Sequence, residues 1–336
     1  ASANSATASA NSATASANSA TSAAASAADV AKVQGITNGT VAANKAMVVD
    51  ANKDISGGRN LTISGELDAA TLDISGNIDV DGISNLDVID VDGAANFAAD
   101  VTFANGADII TASAGTSNFR AGVNAGNSIA SGGNYNVTVG DEAGTAITTG
   151  DANTLVGYQA GLISATGGRL TAIGYQAGKS QVATSGSQNV FVGNESGFTN
   201  TTGVTNTFVG GSSGAANTTG SNNVAVGQAA LDANTTASSN TAVGVDALTA
   251  NTTAIDNTAV GYQAGLTNIT GSFNTFIGDS AGRLATHTRN TFIGHGSGEA
   301  MTTGEKNCIF GRYNGNNGGL DIRTSSNNIV LSDGDG

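Results

Sequence analysis

The chain has 336 residues, of which 48 are glycine, none is proline or tryptophan, and only 11% are charged. This composition is unlike that of an ordinary enzyme or of a highly charged disordered chain, and low complexity with a regular period is typical of repeat proteins. The formal net charge of −14 disfavours a nucleic-acid partner because phosphate repels an acidic surface. The single cysteine, Cys308, excludes an intrachain disulfide framework. The sequence has no apolar run of about 20 residues, which predicts no membrane insertion.

Residues 1–32 are predicted to be an Ala/Ser-rich heptad stalk. The heptad ASANSAT occurs three times without change. Its alanines alternate at intervals of three and four residues, which is the seam spacing of an α-helical coiled coil; they are Ala3, Ala6, Ala10, Ala13, Ala17 and Ala20. Alanine buries little area, and Ser, Thr and Asn are mediocre helix formers. The helix would therefore depend on partner chains, and the alternative is a flexible stalk.

Residues 33–115 are predicted to be a β-rich acidic shaft. Short alternating runs end in glycine, as in DISG at 73–76 and DVDG at 79–82, and this period of two is typical of strands. Residues 51–110 hold eleven acidic residues against two basic ones, a local net charge of −9. An ion site in a trimer could use Asp79, Asp81, Asp90 and Asp92. A solvated acidic face is the favoured alternative, and the run at 50–61 lacks the glycine and glutamate of an EF-hand loop.

Residues 116–315 are predicted to be an array of seventeen-residue β-roll repeats. A glycine that closes the motif N-x-x-V-G recurs in steps of 16 to 19 residues, and most steps are 17; it stands at 122, 140, 157, 174, 193, 210, 227, 244, 261, 278, 294 and 311. The residue before this glycine is almost always Val, Ile or Phe, as at Val156 and Ile173. Because this position is so constant, we predict that it faces the internal core.

The residue one position earlier lies on the opposite strand face and varies in size, as at Leu155, Ala172, Phe208 and Phe276. This face is also apolar, so we predict that other chains bury it. Each repeat is expected to supply two short strands and two turns, forming one coil of a narrow solenoid. One such coil has too little apolar area to stand alone, which favours an assembly of several chains.

An asparagine opens the motif at 153, 189, 206, 223, 240, 257, 274, 290 and 307. In stacked coils about 4.8 Å apart these side chains would form a ladder and satisfy one another's hydrogen bonds.

Residues 316–336 are predicted to be a C-terminal strand and tail. Ile329, Val330 and Leu331 can form one more strand, whereas the following SDGDG has no core residue. An open solenoid end normally needs a cap. We therefore expect a further chaperone or tip domain after Gly336.

No catalytic, cofactor or metal site is predicted. His287 and His295 are interpreted as exposed turn residues rather than metal ligands, and Cys308 as a buried structural thiol rather than a nucleophile. The adjacent Asp141 and Glu142 have no companion acid in an evident cleft. The NTT tripeptides at 217, 234 and 251 match glycosylation acceptors but arise by chance in an Asn/Thr-rich chain.

The units NTAVGYQAG at 257–265, NTFIGDSAG at 274–282 and NVAVGQAAL at 223–231 resemble the head repeats of trimeric autotransporter adhesins, and more closely the repeats of bacteriophage tail fibres. This resemblance covers about residues 115–315 and implies a homotrimer with a left-handed parallel β-roll. The expected fold class is therefore all-β: an elongated homotrimeric β-solenoid fibre with a short N-terminal coiled coil.

The resulting functional prediction is a structural, non-enzymatic fibre of a virion. A phage tail fibre that projects a host receptor-binding element is expected, located on the extracellular virion. Its partners would be two further copies of itself, a tail or capsid attachment protein, and a host surface receptor. The alternative is a bacterial adhesin head of the trimeric autotransporter type, which would carry a membrane anchor that this sequence does not show. A polysaccharide-degrading spike is disfavoured because aromatic residues are only 4%.

Overall fold

The computed structural model describes residues 2–33, 113–182 and 186–333. The chain divides into two compact units, residues 1–96 and 97–336, and each is described by itself. The predicted acidic shaft, including its candidate ion site, lies almost entirely outside the described residues.

Helix α1 spans Ser2–Val33 and confirms that the heptad segment is helical. Each heptad threonine bonds back to a carbonyl one turn earlier, since the Oγ1 atoms of Thr7 and Thr14 donate to the carbonyls of Ala3 and Ala10 at 3.0 Å. These hydroxyl groups are therefore satisfied within the helix. The side chains of residues 3–27 are exposed, the seam alanines included. The coiled coil stays a prediction.

The second unit is a parallel β-solenoid of about twelve turns, as the glycine spacing predicts. Each turn carries a strand of three residues: β1 Phe119–Ala121, β2 Val137–Val139, β3 Thr154–Val156, β4 Thr171–Ile173, β5 Val190–Val192, β6 Thr207–Val209, β7 Val224–Val226, β8 Thr241–Val243, β9 Thr258–Val260, β10 Thr275–Ile277, β11 Thr291–Ile293 and β12 Cys308–Phe310. The expectation of two strands per coil is wrong. Among the described residues, the rest of each regular coil forms turns and connecting segments.

Consecutive strands pair in parallel, with equivalent repeat positions side by side. Thr207 pairs with Val224, Phe208 with Ala225, and Val209 with Val226, and the same register holds from β1 to β12. One repeat position therefore becomes one straight column of side chains along the solenoid.

The prediction of which strand face is internal is wrong. The middle residue of the strand, which varies in size, points into the core of its own chain: Phe208 and Phe276 are completely buried. The constant residue that follows it points outward and stays partly exposed, as at Val156 and Ile173. A single chain thus has its own hydrophobic core, contrary to the expectation that one coil cannot bury enough apolar area.

The core tolerates different sizes at the middle position because a second position compensates. Phe208 fills its coil, and Gly214 in the following turn leaves room for its ring. In the next coil the strand carries Ala225, and the position equivalent to Gly214 is occupied by the buried Leu231. Neighbouring phenylalanines also stack, since the ring centroids of Phe191 and Phe208 are 5.3 Å apart.

The predicted asparagine ladder is confirmed. The backbone N–H of Asn223 donates to Oδ1 of Asn206 at 2.9 Å, and the N–H of Asn240 donates to Oδ1 of Asn223 at 3.0 Å. The Nδ2 of Asn223 donates to the carbonyl of Ala237 at 2.9 Å. The Asn223 amide thus joins neighbouring coils and also ties the strand start to the turn that follows.

The C-terminal strand is also confirmed: β15, Ile329–Leu331, pairs in parallel with β12. A short antiparallel hairpin, β13 Asn316–Asn317 and β14 Leu320–Asp321, interrupts the array before it. The Oη atom of Tyr313 donates to the carbonyl of Leu320 at 2.7 Å and holds this hairpin against the last coil. The final residues 334–336 lie outside the described part of the chain.

Candidate assembly surface on the outer face of the ladder

The first and third residues of each strand point away from the core and form two parallel columns, which we call the outer stripe. The third position holds the constant apolar residues: Val139, Val156, Ile173, Val192, Val209, Val226, Val243, Val260, Ile277, Ile293 and Phe310. The first position is Thr or Val from β2 to β11 and Cys308 in β12. From β2 to β12 the stripe therefore contains no charged residue.

The outer stripe remains partly open to solvent in the single chain. The exposed fractions are 38% for Ile173, 36% for Val260, 38% for Ile277 and 41% for Phe310. Scattered exposed apolar residues are normal, but a contiguous apolar patch indicates an interaction site. With eleven strands from β2 to β12 spaced about 4.8 Å apart, the stripe is roughly 50 Å long.

The glycine after each strand keeps the stripe straight. Gly261 has a φ of +138°, and a Cβ atom at this position would collide with the backbone of Gly278 in the next coil. Equivalent glycines continue the same close approach along the array. Backbone hydrogen bonds fix the spacing, as in the N–H of Gly261 donating to the carbonyl of Val243 at 2.8 Å. The side chains of the stripe consequently recur at one fixed spacing, that between neighbouring coils.

Polar and aromatic ladders lie beside the stripe, just after the strand glycines. The Nε2 of Gln176 donates to Oε1 of Gln159 at 2.7 Å, and the Nε2 of Gln159 donates to Oε2 of Glu142 at 2.6 Å. The rings of Tyr158 and Tyr175 stack with centroids 5.5 Å apart. Partial desolvation, followed by the negative charge of Glu142, raises the pKa of the Tyr158 hydroxyl. This flank is organised by contacts within the chain.

The candidate residues named in the sequence analysis lie in different environments. His287 and His295 are both exposed, as predicted, and Nε2 of His295 lies 3.7 Å from Oδ1 of Asp279. Cys308 lies on the outer stripe and is half-buried rather than buried as predicted. Glu142 belongs to the glutamine ladder, whereas Asp141 is exposed.

The NTT asparagines form a second buried ladder that the sequence analysis missed. The Nδ2 of Asn234 donates to Oδ1 of Asn217 at 2.6 Å, and the Nδ2 of Asn251 donates to Oδ1 of Asn234 at 3.2 Å. All three are completely buried, which explains their seventeen-residue spacing and leaves them inaccessible to glycosylation in the folded chain. The recurrence of NTT at the repeat period is the sequence signal that could have revealed this ladder.

The described residues contain neither a candidate membrane-spanning helix nor a candidate metal-binding cluster. No helix there combines the length and the apolar character needed to cross a membrane. Nor do three or more His, Cys, Asp or Glu side chains gather into a metal-binding group within residues 2–33, 113–182 and 186–333.

Comparisons of the chain with models of protein families, with curated proteins and with solved structures gave no match.

Proposed function

We propose that this chain is a subunit of a homotrimeric virion fibre, of the phage tail-fibre kind, which holds a host-recognition element away from the particle. The proposed role is structural, on the extracellular virion. The observation that carries the proposal is the outer stripe: an uncharged, largely β-branched surface of fixed repeat along a solenoid that already has its own core.

A further copy of the same chain is the partner that fits this stripe best. Its columns repeat at the strand spacing of about 4.8 Å, and a second solenoid of the same pitch presents matching side chains over the whole length. No charged residue from β2 to β12 would have to be desolvated. If about 10 Å of width is covered, the stripe offers on the order of 500 Å² per chain, below the roughly 800 Å² per partner of a standard interface, so the flanking residues would also contribute.

Three copies follow from the resemblance of the repeats to those of trimeric fibres. Closed cyclic symmetry lets every chain use the same surface and leaves no stripe uncovered. In such an assembly each chain would contribute its own stable core, and the interface would add stiffness between the three solenoids.

The lone thiol on the stripe provides a direct test. Cys308 is half-buried in the single chain and would become protected in the assembly. We expect a maleimide reagent to modify the native wild-type protein slowly and the denatured protein rapidly. The matched control is Cys308→Ser combined with Thr270→Cys, because Thr270 is exposed and lies away from the strands. Equal, rapid labelling of both native proteins would contradict the proposed interface.

The virion location needs a separate measurement. Immunogold labelling of purified particles with antibodies against the solenoid should decorate fibres on the particle. Labelling of the surface of uninfected bacteria, with none on particles, would instead support the adhesin alternative, which rests on the same repeat resemblance.

A further inference from the structure

We propose that the solenoid carries a carbohydrate-binding site in a depression on its first coils. The depression has a volume of about 350 Å³, and its lining includes Tyr135, Thr149, Asp151, Thr166 and Arg169. None of these residues belongs to the outer stripe. All come from one chain, so the site goes beyond the proposed assembly and does not depend on it.

The lining residues of the depression come from four consecutive coils. The step from Gly122 to Gly140 is 18 residues and the step from Gly174 to Gly193 is 19, while the two steps between them are 17. Tyr135 belongs to the first long coil and Gly186 to the second, and both line the depression. The two 17-residue coils between them supply the remaining lining residues, among them Thr149, Asp151, Thr166 and Arg169.

The two charged residues are held in place by the repeat. The N–H of Arg169 donates to the carbonyl of Asp151 at 2.9 Å, which joins the two coils at this point. Oδ1 of Asp151 accepts the N–H of Asn134 at 2.7 Å, so the carboxylate is oriented while Oδ2 remains for a ligand. Gly168, which precedes Arg169, permits this close approach, because a Cβ atom there would collide with the backbone carbonyl of Asp151.

Asp151 and Arg169 bring opposite charges to the same depression. Within the described part of the chain, neither the Asp151 carboxylate nor the Arg169 guanidinium forms an ion pair. Both side chains are exposed to solvent. An acceptor and a multiple donor are thus presented in the same depression, with the hydroxyl groups of Thr149 and Thr166 beside them.

This combination matches the chemistry of a pyranose sugar. The side chain of Tyr135 is 65% exposed and can pack on the apolar C–H face of a sugar ring. A carboxylate accepts hydrogen bonds from sugar hydroxyl groups, and a guanidinium donates to them. The volume falls at the lower end of the range of about 300–1,000 Å³ for small-ligand sites, which suits one or two sugar rings.

The test uses the full chain and saturation-transfer NMR with four free probes: methyl glucoside, methyl galactoside, methyl mannoside and N-acetylglucosamine. At least one probe should show saturation of its ring C–H protons. Tyr135→Ala and Asp151→Asn should each lower the affinity about tenfold, which corresponds to the loss of one such contact. Asparagine at 151 keeps an oxygen for the Asn134 N–H, so the fold should persist.

Lys306→Ala is the matched control, because Lys306 precedes ladder residue Asn307 at a similar turn position outside the depression. Its binding should equal that of the wild type, and circular dichroism should show the same fold in all variants. Two results would overturn the proposal: no saturation of any of the four probes by the wild type, or saturation that persists unchanged in Tyr135→Ala and Asp151→Asn.

Discussion

The position that ends each strand requires glycine because the next coil approaches it closely, and not only because the chain turns there. At Gly261 the backbone adopts a φ of +138°, which side chains of L-residues rarely allow, and a Cβ atom would meet the Gly278 carbonyl. Two independent costs, backbone strain and a collision with rigid backbone, therefore act at one position.

We expect Gly261→Val to destabilise the solenoid by about 3 kcal/mol or more, since the collision disrupts neighbouring coils as well. Thermal unfolding followed by circular dichroism measures the change. Tyr262→Ser is the control, because Tyr262 is adjacent and 49% exposed. The following residue, Gln263, would be a poorer control than Tyr262, because it is half-buried and its Nε2 lies 3.4 Å from Oδ2 of Asp246. Similar losses in the valine and serine variants would show that this glycine is not constrained.

The large side chain that fills the core of a coil comes either from the middle strand position or from the following turn. Leu231 keeps a φ of 53° in order to fill the coil that Ala225 leaves open, whereas Phe208 is paired with Gly214. We expect Ala225→Phe alone to overpack the coil and Leu231→Gly alone to leave a cavity, each at a cost of about 2 kcal/mol.

The double variant should recover most of the summed loss, giving a coupling energy of about 3 kcal/mol in magnitude in a double-mutant cycle. Urea unfolding of the four proteins measures it. Strictly additive losses would contradict the compensation between these two positions.

At the scale of the coil, the asparagine ladders stabilise the solenoid because they satisfy backbone groups that no strand reaches. Asn223 is an example: it is completely buried, and its side chain bridges to a neighbouring coil and to a turn carbonyl. Removing one amide leaves a donor and an acceptor unpaired, which costs more than the hydrogen bonds themselves contributed.

Asn223→Asp gives a prediction with a defined pH dependence. The new carboxylate would face the carbonyl of Ala237, to which Nδ2 of Asn223 now donates. Burial and this repulsion should raise the pKa of the carboxyl above its unfolded value. The folded state then binds more protons than the unfolded state, so stability should rise as the pH falls and decrease as the pH rises through the folded pKa.

Urea unfolding between about pH 4 and pH 8 tests this, with Asn223→Ala as the control that carries no titrating group. The alanine variant should be destabilised by a similar amount across the range. Parallel pH profiles for the two variants would contradict the assigned environment.

Sequence periodicity predicted the coil, its parallel stacking and the first asparagine ladder, because each repeats at one spacing. It did not predict the strand faces, since positions 155 and 156 are both apolar and alternation alone cannot say which is internal. Constancy suggested the core at Val156, whereas the structure places Leu155 inside. The size variation at the internal position depends on compensation by the following turn, as with Ala225 and Leu231, and this is visible only in three dimensions.

At the scale of the whole molecule, the variable strand position faces the core and the constant position faces outward, so assembly must be tested on the constant position. Substitution of Phe208 or Phe276 would disrupt the core of one chain and give no information about partners. Substitution on the outer stripe leaves that core intact. The solenoid chain should therefore remain folded when its partners are lost, and the two properties can be measured separately.

The molar mass of the wild type and of Val226→Lys/Val243→Lys, measured by light scattering, tests whether the outer stripe holds three chains together. Both valines are half-buried on the outer stripe, and the α1 seam of alanines buries too little area to hold three chains alone. We expect about three times the chain mass of 32.6 kDa for the wild type. For the variant we expect a single-chain mass with an unchanged β-type circular dichroism spectrum. A monomeric wild type, or a variant with the same mass as a trimeric wild type, would contradict assembly through the outer stripe.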